Sequence, residues 1–265
     1  MGLPVALSVM LIVIILAGGR LETSNASGWV SLPWSAVASN PATSTVDRGS
    51  PPLVPKPLLR GWSHVAAFAI LAVLGVILTS VTNASTSDRL LLVIYVAGTL
   101  TMFGVSSMYH RLPWHGRGHS IMRRLDHSAI FLAIAGAYTP IMAIALDGWQ
   151  SIAVLTAVWG GSIVGITLEW LPVRVPRRVF TAVYVVVGWS AVIAMPQLYQ
   201  ALGGAGFALV LGGGLLYTIG AVVYALKRPD PWPLTFGYHE IFHMFTIAGA
   251  GCHLAAIAFY VAPLM

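Results

Sequence analysis

The stretch GYHEIFH, at Gly237–His243, opens the last long apolar segment of the chain, which continues to Val261. Its two histidines, His239 and His243, are four residues apart, so in a helix they lie on one face, about 6 Å apart along the axis. At that spacing both imidazoles can reach one metal ion. Further ligands for such an ion must come from other parts of the chain.

The composition of the whole chain is that of a membrane protein. Of its 265 residues, 57% are hydrophobic and 8% are charged, and the mean hydropathy is +0.83. Soluble domains carry about 25% charged residues, so an ordinary soluble domain is excluded. The net charge of +6 comes from basic residues in short connections between apolar segments, so we expect no nucleic-acid partner. The single cysteine, Cys252, excludes a Cys-based zinc site and leaves histidine and carboxylate as metal ligands.

Seven apolar segments lie within residues 56–265, each near the length of about 20 residues that a membrane-spanning helix needs. Because the bilayer core offers no water to free backbone groups, we expect helices rather than strands. The sequence therefore predicts an all-α integral membrane bundle of seven helices. The predicted spans are Trp62–Val81, Leu90–Tyr109, Ser128–Leu146, Ile152–Trp170, Val179–Pro196, Phe207–Leu226 and Tyr238–Val261.

Residues 1–55 differ from the rest of the chain. Their apolar run at residues 4–18 is short for a spanning helix and has no basic residue before it, and the remainder is rich in Ser, Thr, Asn and Pro. Two interpretations of residues 4–18 stay open, a span of the membrane or a cleaved segment. We expect residues 1–55 to form a flexible leader that lies outside the bundle.

The basic residues predict the orientation of the bundle. Twelve of the 14 Lys and Arg residues lie on one side, before the first span and in the second-to-third, fourth-to-fifth and sixth-to-seventh connections. The opposite connections hold only Arg89. By the positive-inside rule, the N-terminal side of the bundle is cytoplasmic and the C-terminus is outside, in a multi-pass protein of the plasma membrane.

Polar residues from three spans are predicted to converge at the cytoplasmic end. The second span ends at His110, the third begins near Asp126, and the seventh begins with His239 and His243. Polar groups at membrane depth are expensive and usually mark function. Three histidines and a water form a tetrahedral zinc site of the catalytic kind, which keeps one position open.

Three separated patterns in the same order resemble the hemolysin III family, the bacterial branch of the progestin and adiponectin receptor group. They are Ser106-x-x-x-His110, LDHS at Leu125–Ser128 followed by AGAYTP at Ala135–Pro140, and His239-x-x-x-His243. The resemblance implies a seven-helix bundle with zinc near the cytoplasmic face, held by His110, His239 and His243. It also implies that Asp126 contacts the zinc-bound water and that Ser106 completes the polar cluster. The family is similar to alkaline ceramidases, in which such a site hydrolyses a lipid amide, while its bacterial members carry a cytolytic or channel-like name.

The predicted function is zinc-dependent hydrolysis of an amide or ester bond in a membrane lipid. Zinc activates its bound water near neutral pH, and Asp126 would accept a proton and return it to the leaving group. Ser106, one turn before His110, would donate to a ligand, to the water or to an oxyanion. The alternative is a structural zinc closed by Asp126 as fourth ligand, in a non-enzymatic receptor, channel-like or cytolytic protein.

The same stretch also spells His-Glu-x-x-His, the signature of zinc proteases in which the glutamate, here Glu240, is the base. No further ligand follows at the required spacing, because His253 is ten residues on, about 15 Å deeper along the helix. Asp147, which would suit an intramembrane protease, is predicted at the opposite face. We therefore expect Glu240 to complement the dipole of the helix start, with a role as base as its second interpretation.

Other residues have packing interpretations. We expect His253 to be buried and hydrogen-bonded to a neighbouring helix, and His115 and His119 to lie in a solvated loop. His127 either orients Asp126 or packs at the interface, and His64 either supports the site or lies at the interface. Glu169 is expected to pair with Arg174 and Arg177. The glycines at 161, 165 and 212–214 are expected to allow close helix contacts.

Overall fold

The computed structural model describes residues 56–172 and 175–265, with the backbone alone at residues 177 and 178. Within these ranges the regular structure is helical, apart from one isolated bridge between Trp232 and Phe236. The predicted leader at residues 1–55 lies outside the described residues. The all-α fold class is confirmed for the part of the chain that is described.

The described residues form seven α-helices, numbered here in chain order. They are α1 Trp62–Val81, α2 Thr86–Arg111, α3 Gly116–Ala145, α4 Trp149–Trp170, α5 Arg177–Gly188, α6 Met195–Leu226 and α7 Tyr238–Ala256. A 3-10 helix at Ser190–Ala194 joins α5 to α6, and π and 3-10 turns extend α7 to Leu264. Six helical segments are long and apolar enough to cross a membrane: α1 to α4, the run Val179–Leu226, and Tyr238–Leu264. The molecule is a membrane helical bundle.

The run Val179–Leu226 has 48 residues, about twice the length that one crossing requires. Its backbone leaves the helical region at Gly203, where φ is 67° and ψ is 177°. Trp189 Nε1 donates a hydrogen bond of 2.9 Å to Thr218 Oγ1, although residues 29 apart in a straight helix would be separated by about 43 Å. The run therefore folds back on itself at Gly203. Seven crossings remain a prediction, which this reversal supports.

The third helix begins earlier than predicted, at Gly116 rather than Ser128. His119 lies in its first turn, with Nε2 3.4 Å from the Tyr109 hydroxyl, so the predicted loop was wrong for His119. His115 precedes the helix, and both histidines are exposed as predicted. A helix can continue beyond the apolar region because its backbone hydrogen bonds are made within the segment. Asp126 consequently lies in the third turn of α3 and not at its start.

The AGAYTP stretch of α3 connects this helix to two neighbours. The Tyr138 hydroxyl donates to the Gly188 carbonyl oxygen at 2.5 Å and accepts from the Ala191 N–H at 3.3 Å, which satisfies backbone groups where α5 gives way to the 3-10 helix. The neighbouring Thr139 hydroxyl accepts a hydrogen bond of 3.2 Å from Trp159 Nε1 of α4. The stretch thus holds α4 and α5 against α3.

Several of the glycines lie at close helix contacts. A Cβ added at Gly165 would lie 2.0 Å from the Phe131 ring, and one at Gly213 would lie 2.4 Å from the His253 ring. Gly161 is similarly close to Val187, at 2.9 Å. The packing prediction is confirmed at these positions but was wrong for residues 212 and 214, where an added Cβ meets nothing within 4 Å.

The main hydrophobic core occupies the half of the bundle opposite the histidines. Its fully buried members include Leu92 of α2, Val154 and Val158 of α4, and Ile257 and Val261 at the end of the α7 segment. A smaller cluster around Phe103 and Ala129 lies nearer the histidines. The dense packing of the far half leaves the histidine half to enclose a cavity.

Candidate metal centre

The structure brings His110, His239 and His243 together, although 129 residues separate His110 from His239. One ring nitrogen from each lies within 4.8 Å of the others, and Nε2 of His110 is 3.1 Å from Nε2 of His239. The last turn of α2 supplies His110, and the first two turns of α7 supply the other two. The histidines converge because α2 ends and α7 begins at the same end of the bundle.

The three imidazoles fit a tetrahedral metal ion. Two nitrogens bound to one zinc at 2.0–2.1 Å are separated by about 3.3 Å, close to the 3.1 Å between His110 and His239. The side chains of His110 and His243 are buried, and Nδ1 of His243 has no hydrogen-bond partner among the described residues. Three neutral imidazoles form a donor set that suits zinc. Within the described residues, no other group of three or more His, Cys, Asp or Glu ligand atoms lies this close together.

Asp126 and Ser106 form a pair across α2 and α3. The Ser106 hydroxyl hydrogen-bonds to the Asp126 carboxylate, and both residues line the same cavity as the three histidines. Ser106 is buried and Asp126 is half-buried. The hydroxyl therefore contacts the Asp126 carboxylate, a partner that is not among the ligand, water and oxyanion that the sequence analysis predicts for it.

Glu240 has a different environment from that of Asp126. It is 2% exposed, its Oε2 accepts a 2.9 Å hydrogen bond from the Gly237 N–H, and its Oε1 accepts from Nε of Arg60. Both carboxylate oxygens are therefore engaged, one by the start of α7 and one by Arg60, two residues before α1. These contacts fit the helix-start interpretation of Glu240 rather than a role as base.

The turn that begins α1 touches the histidine cluster directly. The ring of His64 stacks on that of His243, with centroids 3.7 Å apart and an interplanar angle of 15°, and its edge meets Phe103. A Cβ added at Gly61, where φ is +81°, would lie 2.7 Å from Cβ of His110. Of the two interpretations of His64, the structure favours support of the site.

His127, the residue after Asp126, contacts α4. Its Nδ1 lies 3.3 Å from Oε1 of Glu169, and Arg123 Nη1 lies 3.7 Å from the same oxygen. Arg174 and the side chain of Arg177, the partners predicted for Glu169, lie outside the described residues. Glu169 therefore links α4 to α3 among the residues that are described.

His253 does not belong to the three-histidine group. Its Nε2 lies 3.2 Å from the Val210 carbonyl oxygen of α6, so the predicted hydrogen bond to a neighbouring helix is confirmed. Asp147, at the loop between α3 and α4, lies at the opposite end of the bundle from the cluster. Neither residue completes a protease site.

A cavity of about 840 Å³ extends from the histidine cluster into the bundle. Lys56, Arg123 and Arg124 line it at the histidine end, and apolar or aromatic side chains of α3, α5 and α6 line it deeper in. His243 and His253 both line it, and they are ten residues apart in α7, so it extends about 15 Å along that helix. Its volume lies in the upper part of the range for ligand pockets, about 300–1,000 Å³.

These features define a class: a multi-pass membrane protein with a three-histidine cluster at one end of a helical bundle, open to an internal cavity. In bacteria this class of protein lies in the plasma membrane. The sequence profile of the family described as "Haemolysin-III related" matches residues 53–254. The chain belongs to this family, as the three motifs predict.

Individual relatives support the same assignment. Hemolysin-3 of Bacillus cereus is 31% identical over 198 residues, which cover 75% of this chain and 87% of that protein. The Hemolysin-3 homolog of Bacillus subtilis is 32% identical over 192 residues, covering 72% and 87%. The heptahelical transmembrane protein ADIPOR2 of rice is 29% identical over 181 residues, covering 62% and 79%. The adiponectin receptor protein of Drosophila melanogaster is 27% identical over 221 residues, covering 74% of this chain and 49% of that protein.

Sequence reasoning missed the contacts made by Arg60 and Gly61. Both residues precede α1; Arg60 enters the sequence analysis only through the distribution of basic residues, and Gly61 does not enter it. An Arg-Gly pair at the start of a span does not by itself indicate which distant residues the arginine and the glycine will contact. The one available signal was the charge pattern: Glu240 is a buried carboxylate within an apolar segment, and such a group requires a cation.

Proposed function

We propose that the protein is a zinc-dependent hydrolase that cleaves an amide or ester bond in a membrane lipid. His110, His239 and His243 hold the metal, and Asp126 is the general acid–base residue. The observation that carries this proposal is the Ser106–Asp126 pair, which lines the same cavity as the three imidazoles. A site whose role is only structural has no need of an oriented carboxylate beside an internal cavity.

The residues of the chain have separate parts in the reaction. Zinc, when bound, supplies a Lewis acid and an activated water. The Asp126 carboxylate accepts the proton of the attacking water and returns it to the leaving nitrogen or oxygen. Ser106 donates to one oxygen of that carboxylate and so directs the other oxygen towards the reacting atoms.

The cavity suits an amphiphile. Basic side chains and the histidines occupy one end, where a head group and the scissile carbonyl would lie. Apolar side chains such as Ile130, Ile134 and Phe180 line the deeper part, where an acyl chain would be buried. Its volume and length are excessive for a metal ion and water alone. A membrane lipid is therefore the substrate class that we propose.

The competing proposal is a receptor, channel-like or cytolytic protein with a structural zinc. The names of the relatives refer to lysis and to an adiponectin receptor, which are properties given to those proteins. The two proposals differ in the part played by Asp126. Direct coordination by Asp126 would close the site, whereas a carboxylate that remains outside the coordination shell is free for proton transfer.

The test uses purified, zinc-loaded protein and a panel of N-acyl amides and acyl esters with a common acyl chain. We expect release of fatty acid from at least one substrate, and at least a 100-fold loss of kcat in Asp126→Asn. Asp147→Asn makes the same chemical change at the opposite end of the bundle and should leave kcat unchanged. Lipids that copurify with Asp126→Asn, identified by mass spectrometry, should include uncleaved substrate that is absent from the wild type.

Two outcomes would contradict the hydrolase. One is the absence of turnover across the panel together with identical copurifying lipids in wild type and Asp126→Asn. The other is zinc X-ray absorption that shows an Asp126-dependent fourth protein ligand, which would favour the structural zinc.

A further inference from the structure

We infer that Arg60–His64, the segment that leads into α1 and includes its first residues, positions all three metal-binding histidines. We call this segment the clip, and we infer that Glu240 is its anchor on α7. This inference rests on the metal site of the proposed function and goes beyond it. It gives a positioning role to Arg60, Gly61, His64 and Glu240, none of which supplies a metal ligand.

The first contact of the clip is the Arg60–Glu240 ion pair. The carboxylate lies in the first turn of α7, next to His239 and one turn before His243 along the chain. It is almost completely buried, accepts from the Gly237 N–H, and accepts from the Arg60 guanidinium, which is 20% exposed. A charge-assisted hydrogen bond to a buried carboxylate fixes the geometry more strongly than a neutral hydrogen bond. The pair therefore sets where α7 starts, and with it the positions of His239 and His243.

The second contact holds the remaining histidine. Gly61 is so close to His110 that a Cβ added at this position would lie 2.7 Å from Cβ of His110. The positive φ of +81° at Gly61 turns the chain into α1 immediately after Arg60. Neighbouring residues tie the same helices together, because the Arg111 guanidinium lies over the Trp62 ring at 4.4 Å. The end of α2 thus packs against the clip, which also contains Arg60, the partner of Glu240.

The third contact acts on a ligand ring itself. His64 lies one turn after Arg60 and stacks on His243 at 3.7 Å, while Phe103 contacts the edge of the His64 ring. The stack restrains rotation of the His243 imidazole about its side-chain torsions. The segment before the clip is itself held, because the Leu58 and Leu59 N–H groups donate to the carbonyl oxygens of Leu234 and Thr235 in the α6–α7 connection. A short run of the chain thereby joins α1, α2 and α7 around one point.

The inference is tested by metal affinity, which does not depend on catalysis. The dissociation constant for Zn²⁺ is measured on the purified full-length protein by competition with a chelator, and Co²⁺ substitution reports the coordination geometry through its visible absorption. We expect Glu240→Gln and Gly61→Ala to weaken Zn²⁺ binding about 10- to 100-fold, the effect typical of groups that orient metal ligands. Both should also shift the Co²⁺ spectrum.

Matched variants separate positioning from general damage to the fold. Glu169→Gln removes another buried carboxylate that is paired with an arginine at the same end of the bundle, and it should leave Zn²⁺ affinity unchanged. Arg60→Lys should recover part of the affinity that Arg60→Met loses, because it keeps the charge. His64→Phe, which preserves the stack, should bind Zn²⁺ more tightly than His64→Ala.

Wild-type affinity in folded Glu240→Gln and Gly61→Ala would overturn the clip, as would an equal loss in Glu169→Gln. Failure of the wild type to bind Zn²⁺ would overturn both the clip and the metal site. The expected affinity pattern in a protein without lipid turnover would leave the clip standing and remove only the hydrolase.

Discussion

The carboxylates of Asp126 and Glu240 differ in burial and in hydrogen-bond partners, and this difference suggests different roles for them. Asp126 is half-buried on the cavity wall and shares a hydrogen bond with Ser106. Glu240 is buried between an arginine and a backbone N–H. A general base needs an oxygen that can reach a proton, and only Asp126 has one directed at the cavity. The contacts of Glu240 therefore favour Asp126 as the base of the proposed reaction, although the His-Glu-x-x-His pattern of α7 contains Glu240.

The Ser106 hydroxyl gives a test at the scale of one hydrogen bond. We expect Ser106→Ala to lower kcat roughly 10- to 100-fold while the zinc content stays the same, because a hydrogen bond to a charged group is worth about 1.5–3 kcal/mol. The measurement is steady-state turnover with zinc determined by elemental analysis. Ser107→Ala is the control, since the Ser107 hydroxyl bonds to the Phe103 carbonyl oxygen of its own helix. Equal effects of the two substitutions would contradict the assigned role of Ser106.

The ligand histidines allow a second test at the residue scale. Each of His110→Ala, His239→Ala and His243→Ala should reduce bound zinc from one ion per chain to nearly none, because two imidazoles alone bind zinc weakly. His253→Ala removes a buried histidine that lines the same cavity but bonds to the Val210 carbonyl oxygen, and it should retain zinc. Retention of zinc by all four variants would place the metal elsewhere.

Among the helices, the chain reversal at Gly203 has a large effect on the shape of the cavity, because it folds the second part of α6 back along α5. The segments before and after it are joined by the Trp189–Thr218 hydrogen bond and by packing of Ala182 and Val185 against Ala225. The rings of Tyr199 and Phe207, placed symmetrically about Gly203, are 5.7 Å apart. Because the α5–α6 pair forms one wall of the cavity, the reversal also determines the volume available to a ligand.

The reversal predicts an asymmetry between two adjacent glycines. Gly203→Ala should lower the free energy of unfolding by about 1 kcal/mol, since an L-residue pays a steric cost at the positive φ of 67°. Gly204→Ala should be neutral or slightly stabilising, because φ at Gly204 is not positive and an added Cβ meets nothing within 4 Å. Unfolding in mixed detergent monitors both variants. Equal stability of the two would argue against a turn at Gly203.

At the scale of the whole molecule, the bundle divides into a packed half and a hollow half. The core clusters at the end away from the histidines, while the cavity, the metal-binding residues and most of the basic residues lie at the other. The distribution of basic residues predicts that the hollow half faces the cytoplasm and that the C-terminus is outside.

Orientation can be measured with single cysteines in a Cys252→Ala background. We expect Met265→Cys and Gln150→Cys to react with a membrane-impermeant maleimide added to intact cells, and His115→Cys to react only after the membrane is permeabilised. The reason is that His115 lies at the basic side of the bundle and the other two at the opposite side. Labelling of His115→Cys in intact cells would reverse the proposed orientation.

Much of this arrangement could be predicted from the sequence, because its causes are local. Hydropathy predicts α1 and α4 nearly to the residue, and alternating helix directions predict that His110 meets His239 and His243. The start of α3 could not be predicted in this way, because apolarity marks the bilayer and not the end of a helix. The contacts of Arg60 and Gly61 could not be predicted either, because they depend on the conformation of the loop before α1. The partner of Arg60 is also 180 residues away in the chain, and no local sequence pattern indicates it.

The dense packing around Val154, Val158 and Ile257 fills the half of the bundle away from the histidines, so among the described residues the large cavity lies mainly in the other half. We therefore expect an amphiphile to reach the histidines from the nearer membrane surface or sideways out of the bilayer, and not across the packed half.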